Sequence, residues 1–104
     1  MYIANITFII EKEQRCCFSS WITKHCKGLR HDNKNLRLST VVDLPGDPDF
    51  TTHAGSYSLQ AEFSSQEEAS LWIEKDMSSL ANEFIDLFGQ NSVVFPSVMQ
   101  VMEI

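Results

Sequence analysis

Residues 15–26 read RCCFSSWITKHC, three cysteines and one histidine within twelve positions. Thiolate sulfur and imidazole nitrogen are the usual ligands of structural zinc, and paired thiols form disulfides. Spacing argues against both chemistries. On a helix rising about 1.5 Å per residue, Cys16 and Cys26 stand roughly 15 Å apart along the axis, beyond the ~7 Å a disulfide spans. All ligands of one zinc ion must lie within about 2.3 Å of it, which the same separation forbids. Cys16 and Cys17 diverge by about 100° around the axis, and His25 and Cys26 diverge likewise. The run therefore reads as a helix with a buried side built from small, soft residues.

Other candidates are weaker. Asp43, Asp47, Asp49 and His53 carry oxygen and nitrogen ligands for a divalent cation, but no calcium-loop spacing is present; aspartates in a Pro/Gly loop commonly cap turns. His25 has the chemistry of a general base, yet its position on an apolar stripe fits a satisfied core histidine. The cations from Lys24 to Arg37 offer an anion site, or simply a solvated helix end. No nucleophile elbow, phosphate-cradling glycine loop or zinc motif is present. The sequence predicts no catalytic residue, no metal and no cofactor.

Two helices and four strands must position whatever chemistry there is. Residues 2–10, YIANITFII, alternate with period two, giving a strand over about 2–11. A helical stripe of Phe18, Ile22, His25 and Leu29 marks a helix over about 12–29, with Gly28 as a stop signal. LRLSTVVD gives a second strand over about 36–43, and LPGDPDFTTHAG is a loop with two prolines and two glycines. YSLQAEF, within a strand over about 55–64, puts Tyr57, Leu59, Ala61 and Phe63 on one side. Ser64 and Ser65 followed by Glu67 and Glu68 form a capping-box signature for a helix over about 66–88. Its stripe is Ala69, Ile73, Met77, Leu80, Phe84, Leu87 and Phe88, and Gly89 ends it. The last strand, about 92–103, contains Pro96, which donates no ladder bond and so predicts an edge or a bulge.

The fold class is therefore α+β: a single ferredoxin-like domain over residues 1–104, ordered β-α-β-β-α-β, with a four-stranded antiparallel sheet and two helices on one face. The other sheet face presents Ile3, Asn5, Thr7 and Ile9, then Arg37, Ser39 and Val41, then Ser58, Gln60 and Glu62, beside a final strand that is apolar on both sides. An apolar patch of that extent implies a cover, and the cover expected is a second copy of the chain. Asn5, Thr7, Arg37, Ser58 and Gln60 would then be enclosed between two sheets, where polar side chains need each other, water or a small-molecule ligand. These five are the candidate ligand-binding residues.

Bulk properties narrow the partners. The chain has 104 residues and a formal charge of −6, which argues against general affinity for nucleic acid or anionic lipid. RNA-binding domains of this fold stack bases on aromatic residues of the exposed sheet face, whereas Tyr57 and Phe63 fall on the helix side. No apolar run approaches the length of a membrane span. Three cysteines, an odd number, and no export signal predict a reducing cytoplasm.

Several runs together are similar to the bacterial family built on domain of unknown function 4286. They are Ala4-Asn5-Ile6-Thr7 in the first strand, Phe18, Trp21, Ile22 and His25 in the first helix, and Tyr57-Ser58-Leu59-Gln60 in the third strand. Phe88-Gly89, Val93, Phe95, Ser97 and Met99 close the set. One aromatic of the helix pattern differs, and the loop over 43–55 falls outside the resemblance. The resemblance implies a ferredoxin-like chain that pairs as a dimeric α+β barrel; it supplies no activity. By fold and family analogy, the expected function is a non-enzymatic homodimeric module that binds a small molecule or a protein. The alternative is a small cofactor-independent enzyme of the dimeric barrel type, monooxygenase- or isomerase-like. Arg37, Glu62 and His25 are the titratable residues that would favour it.

Overall fold

The computed structural model describes residues 1–29, 35–41, 55–89 and 91–104. Strand β1 (Tyr2–Ile9) leads through a 3-10 turn (Lys12–Gln14) into helix α1 (Arg15–Leu29). Strands β2 (Arg37–Thr40) and β3 (Ser56–Phe63) follow. Helix α2 (Gln66–Trp72), a π turn (Ile73–Met77) and helix α3 (Ser78–Phe88) run without a break, and strand β4 (Val93–Gln100) closes the chain. The sheet order is β2-β3-β1-β4 with every neighbouring pair antiparallel. This is the ferredoxin-like α+β arrangement expected from the order of elements.

Period-two alternation sorts the sheet residues into two faces. Ala4, Ile6, Phe8 and Ile10 of the first strand and its exit, with Tyr57, Leu59 and Ala61 of β3, are buried beneath the helices. Above them lie Phe18 and Ile22 of α1, and Trp72, Met77, Leu80, Phe84 and Phe88 of the second helical run. The rings interlock: Phe18 lies 4.5 Å from Tyr57 and Phe8 lies 5.0 Å from Phe84, centroid to centroid. Ring pairs at such distances add about 0.5–1.5 kcal/mol each beyond their burial.

The second helical run departs from the expected stripe, and the π turn is the reason. Buried positions step from Trp72 to Met77, five residues, and then to Leu80, Phe84 and Phe88. An added residue in one turn re-phases the helix. Leu87, expected on the stripe, is 57% exposed, and Trp72, at its border, is buried. The start behaves as anticipated: Ser65 caps α2 by accepting from the Glu68 amide at 3.2 Å. The Glu68 carboxylate accepts from Ser64 Oγ. Helix α1 ends at Leu29, one residue past Gly28.

Two further sequence signals have a definite structural role. Gly55 has φ +127°, and a Cβ there would meet the Ile10 carbonyl oxygen at 2.5 Å, so only glycine fits. Pro96 sits in β4, an edge strand of the sheet. The Val101 amide donates to the Met1 carbonyl, which fixes the alternation of the β1–β4 ladder. In that phase Pro96 directs its nitrogen to the open edge, where no ladder bond is lost. Among the described residues, no helix is long and apolar enough to cross a membrane.

Candidate functional site on the open sheet face

The helix-free face is built by the odd-numbered positions of β1, β2 and β4 and the even-numbered positions of β3. Strand register brings Gln60 and Ser97 to either side of Asn5, and Ser58 and Phe95 to either side of Thr7. Arg37 lies beyond Gln60 on β2. Asn5 is only 7% exposed although, among the described residues, no helix covers this face. Its amide nitrogen donates to Thr7 Oγ1 at 2.9 Å and to Ser97 Oγ at 3.3 Å. Its carbonyl oxygen accepts from Gln60 Nε2 at 3.3 Å. Both amide donors and one carbonyl position are thereby used, which locks the orientation of the side chain.

Three of the five predicted site residues, Asn5, Thr7 and Gln60, thus form one connected cluster. Ser58 is half-buried opposite Thr7, and Arg37 is exposed at the β2 margin. They share the face with the cluster but not its hydrogen bonds. Ser97 was missed because β4 reads as apolar on both sides. Its signal was its alternation with Val93, Phe95 and Met99, which assigns it to the Asn5 face. Around the cluster, Ile9, Val41, Val93, Phe95, Met99 and Val101 are 37–48% exposed. A neutral polar centre within an apolar surround can hold and orient a hydrogen-bonding group. It offers little proton-transfer chemistry, because Asn, Thr, Ser and Gln do not titrate near neutrality.

The residues with acid–base or thiol chemistry lie elsewhere. His25, expected in the core, is half-exposed at the seam between α1 and α3, with Nε2 3.4 Å from Glu83 Oε2. Trp21 Nε1 donates to the other Glu83 oxygen at 3.1 Å, and the Trp21 and His25 rings lie 4.9 Å apart. The indole hydrogen bond, helped by His25 and opposed by partial burial, holds the Glu83 carboxyl below the ordinary glutamate range. Burial pushes the Tyr57 phenol up, but hydrogen bonds from Ser19 and Arg15, the Arg15 charge and Thr40 together bring it below the ordinary tyrosine value. Ser19 Oγ lies 3.4 Å from the phenol oxygen.

Cys16 and Cys17 are exposed and Cys26 is half-buried, all three as thiols rather than disulfides. The buried side of α1 is thus made by Phe18 and Ile22, flanked by Trp21, Cys26 and Leu29, and the two adjacent cysteines lie outside it. Among the described residues, no three His, Cys, Asp or Glu side chains gather as a metal site. The candidate cation ligands Asp43, Asp47, Asp49 and His53, and the cations Arg30 and Lys34, lie outside the described residues.

Comparison with known proteins gives a fold and a family. The solved structure of a Deinococcus radiodurans protein, provisionally described as an antibiotic biosynthesis monooxygenase, superposes with a TM-score of 0.66. The match covers 100% of this chain and 95% of that one at 10% sequence identity, a likeness of fold alone. No curated protein matches the sequence. The family model described as Domain of unknown function (DUF4286) matches residues 1–102, and the chain belongs to that family.

Proposed function

We propose that the chain acts as a homodimeric binding module, two copies meeting through their helix-free sheet faces and enclosing a small molecule at the Asn5 cluster. The observation that carries this reading is Asn5 itself. A side chain this enclosed, with its amide oriented by three partners from three strands, is a built polar centre on a surface otherwise fringed by Phe95, Met99, Val93 and Ile9. Such a surface favours contact with another apolar surface over contact with water. The edge of β4 is the less suitable contact, because Pro96 interrupts its row of outward donors. Face-to-face pairing buries the apolar fringe and leaves the hydrogen-bonding positions that the cluster has not used, such as the second Asn5 carbonyl position, to the partner's copy or to a ligand.

A second reading, a small cofactor-independent enzyme, draws on the description of the Deinococcus structure and on Tyr57, the tyrosine with a depressed pKa. Tyr57 faces the helices, on the opposite side of the sheet from Asn5, so the two readings are separable by mutation. Native mass spectrometry of the purified protein tests the first. It predicts a dimer carrying a small-molecule adduct, and loss of the adduct with retention of the dimer in the Asn5→Leu/Gln60→Leu double variant. A dimer without adduct, or an adduct that survives the double substitution, contradicts the proposed site.

A further inference from the structure

On the helix side of the sheet, the π turn borders a cleft of about 360 Å³ that the aromatic core does not fill. Ile73, Met77 and Ala81 form its helical wall, and Val94 and Pro96 form its strand wall. Its origin is legible in residue size. Re-phasing by the π turn brings the small residues Ser78 and Ala81 opposite β4, where Val94 and Pro96 are also compact, and the two walls do not meet. Pro96 adds no N–H to the strand wall, which removes one backbone donor there. The polar lining comes from Glu74 and Ser78, both exposed and therefore at the mouth.

We infer that this cleft binds a small organic amine, an apolar ring or short chain seated between α3 and β4 with its ammonium group at Glu74. The size is at the low end of ligand pockets, which suits one aromatic ring with a two-carbon arm. Charge selects the head group. Among the described residues lining the cleft, Glu74 is the charged one and none is cationic. The chain as a whole carries −6, which adds attraction for a cation and repulsion for an anion. Ser78 supplies a hydroxyl to accept from the ammonium. The inference is independent of the dimer, because the cleft lies on the other side of the sheet from Asn5.

Three probes of one skeleton test it: phenethylamine, 2-phenylethanol and 3-phenylpropionate, titrated against protein labelled at Ile, Met, Ala and Val methyl groups. The expected result is saturable shifts at Ile73, Met77, Ala81 and Val94 with the amine, at a dissociation constant of roughly a millimolar. The alcohol should bind more weakly and the acid most weakly. Glu74→Gln, a surface change that leaves the core untouched, should weaken the amine about threefold while the alcohol is unaffected. Any of three results overturns the inference: no saturable shift at those methyls, equal affinity for amine and acid, or amine binding unchanged in Glu74→Gln. Shifts at the same methyls on raising protein concentration without a probe would assign the cleft to a second copy, and overturn it as well.

Discussion

Asn5 is satisfied by neighbours on its own strand and on the strands either side, and each of those neighbours depends on it in return. Truncating it leaves polar groups facing one another without a bridge. Asn5→Ala should cost about 0.5–1.5 kcal/mol, the net worth of a hydrogen bond whose remaining partners are half-buried or exposed, read as a fall in melting temperature. Asn5→Leu/Gln60→Leu should cost less, because it removes both partners of a bond and fills the space; a double variant less stable than the single one contradicts this account. A second residue-scale prediction concerns Glu83. Its carboxyl pKa is lower in the folded than in the unfolded chain, so the stabilisation it brings is present above its unfolded value and is lost as pH falls through its folded value. Carbon-detected titration should find Glu83 below the ordinary glutamate value, and Trp21→Phe should bring it back towards that value. Asn5, Thr7 and Gln60 were legible in the sequence because alternation alone assigns residues to a sheet face. Glu83 was not, since its partner Trp21 lies 62 positions away and only the α1–α3 seam joins them. His25 was misplaced for a related reason: a helical stripe says which way a residue points, not where the neighbouring helix ends.

Among the elements, the strands were the most readable and the second helical run the least. The alternation in YSLQAEF fixes which side of β3 is buried, and Pro96 predicts the edge position that β4 occupies. The π turn left a subtler trace, the five-residue step between Trp72 and Met77, which an ideal helical period overrides in favour of Ile73 and Leu87. The site suffered from the same kind of ambiguity: a strand apolar on both faces gave no reason to single out Ser97. Pro96 also supports a prediction at this scale. Pro96→Val restores a donor in the middle of the open edge of an eight-residue apolar strand. The variant should self-associate through that edge, seen as light scattering that grows with time and concentration. Scattering equal to that of the unsubstituted protein would mean that the edge needs no such protection.

For the whole molecule, the order of elements was enough to predict the ferredoxin-like sheet, because β-α-β-β-α-β leaves few topologies open. What lies against the open face was not legible in the same way: alternation identifies the patch but not its partner. Six large apolar residues, Ile9, Val41, Val93, Phe95, Met99 and Val101, stand partly exposed there around an already enclosed asparagine. A second copy is the cover proposed, and every statement about an enclosed ligand at Asn5 depends on it. Sedimentation equilibrium at micromolar concentration tests it most directly. The account predicts a particle of twice 11.9 kDa that reverts to 11.9 kDa when Phe95→Glu places a charge in the centre of the contact. A single 11.9 kDa species for the unsubstituted chain across that range would contradict it.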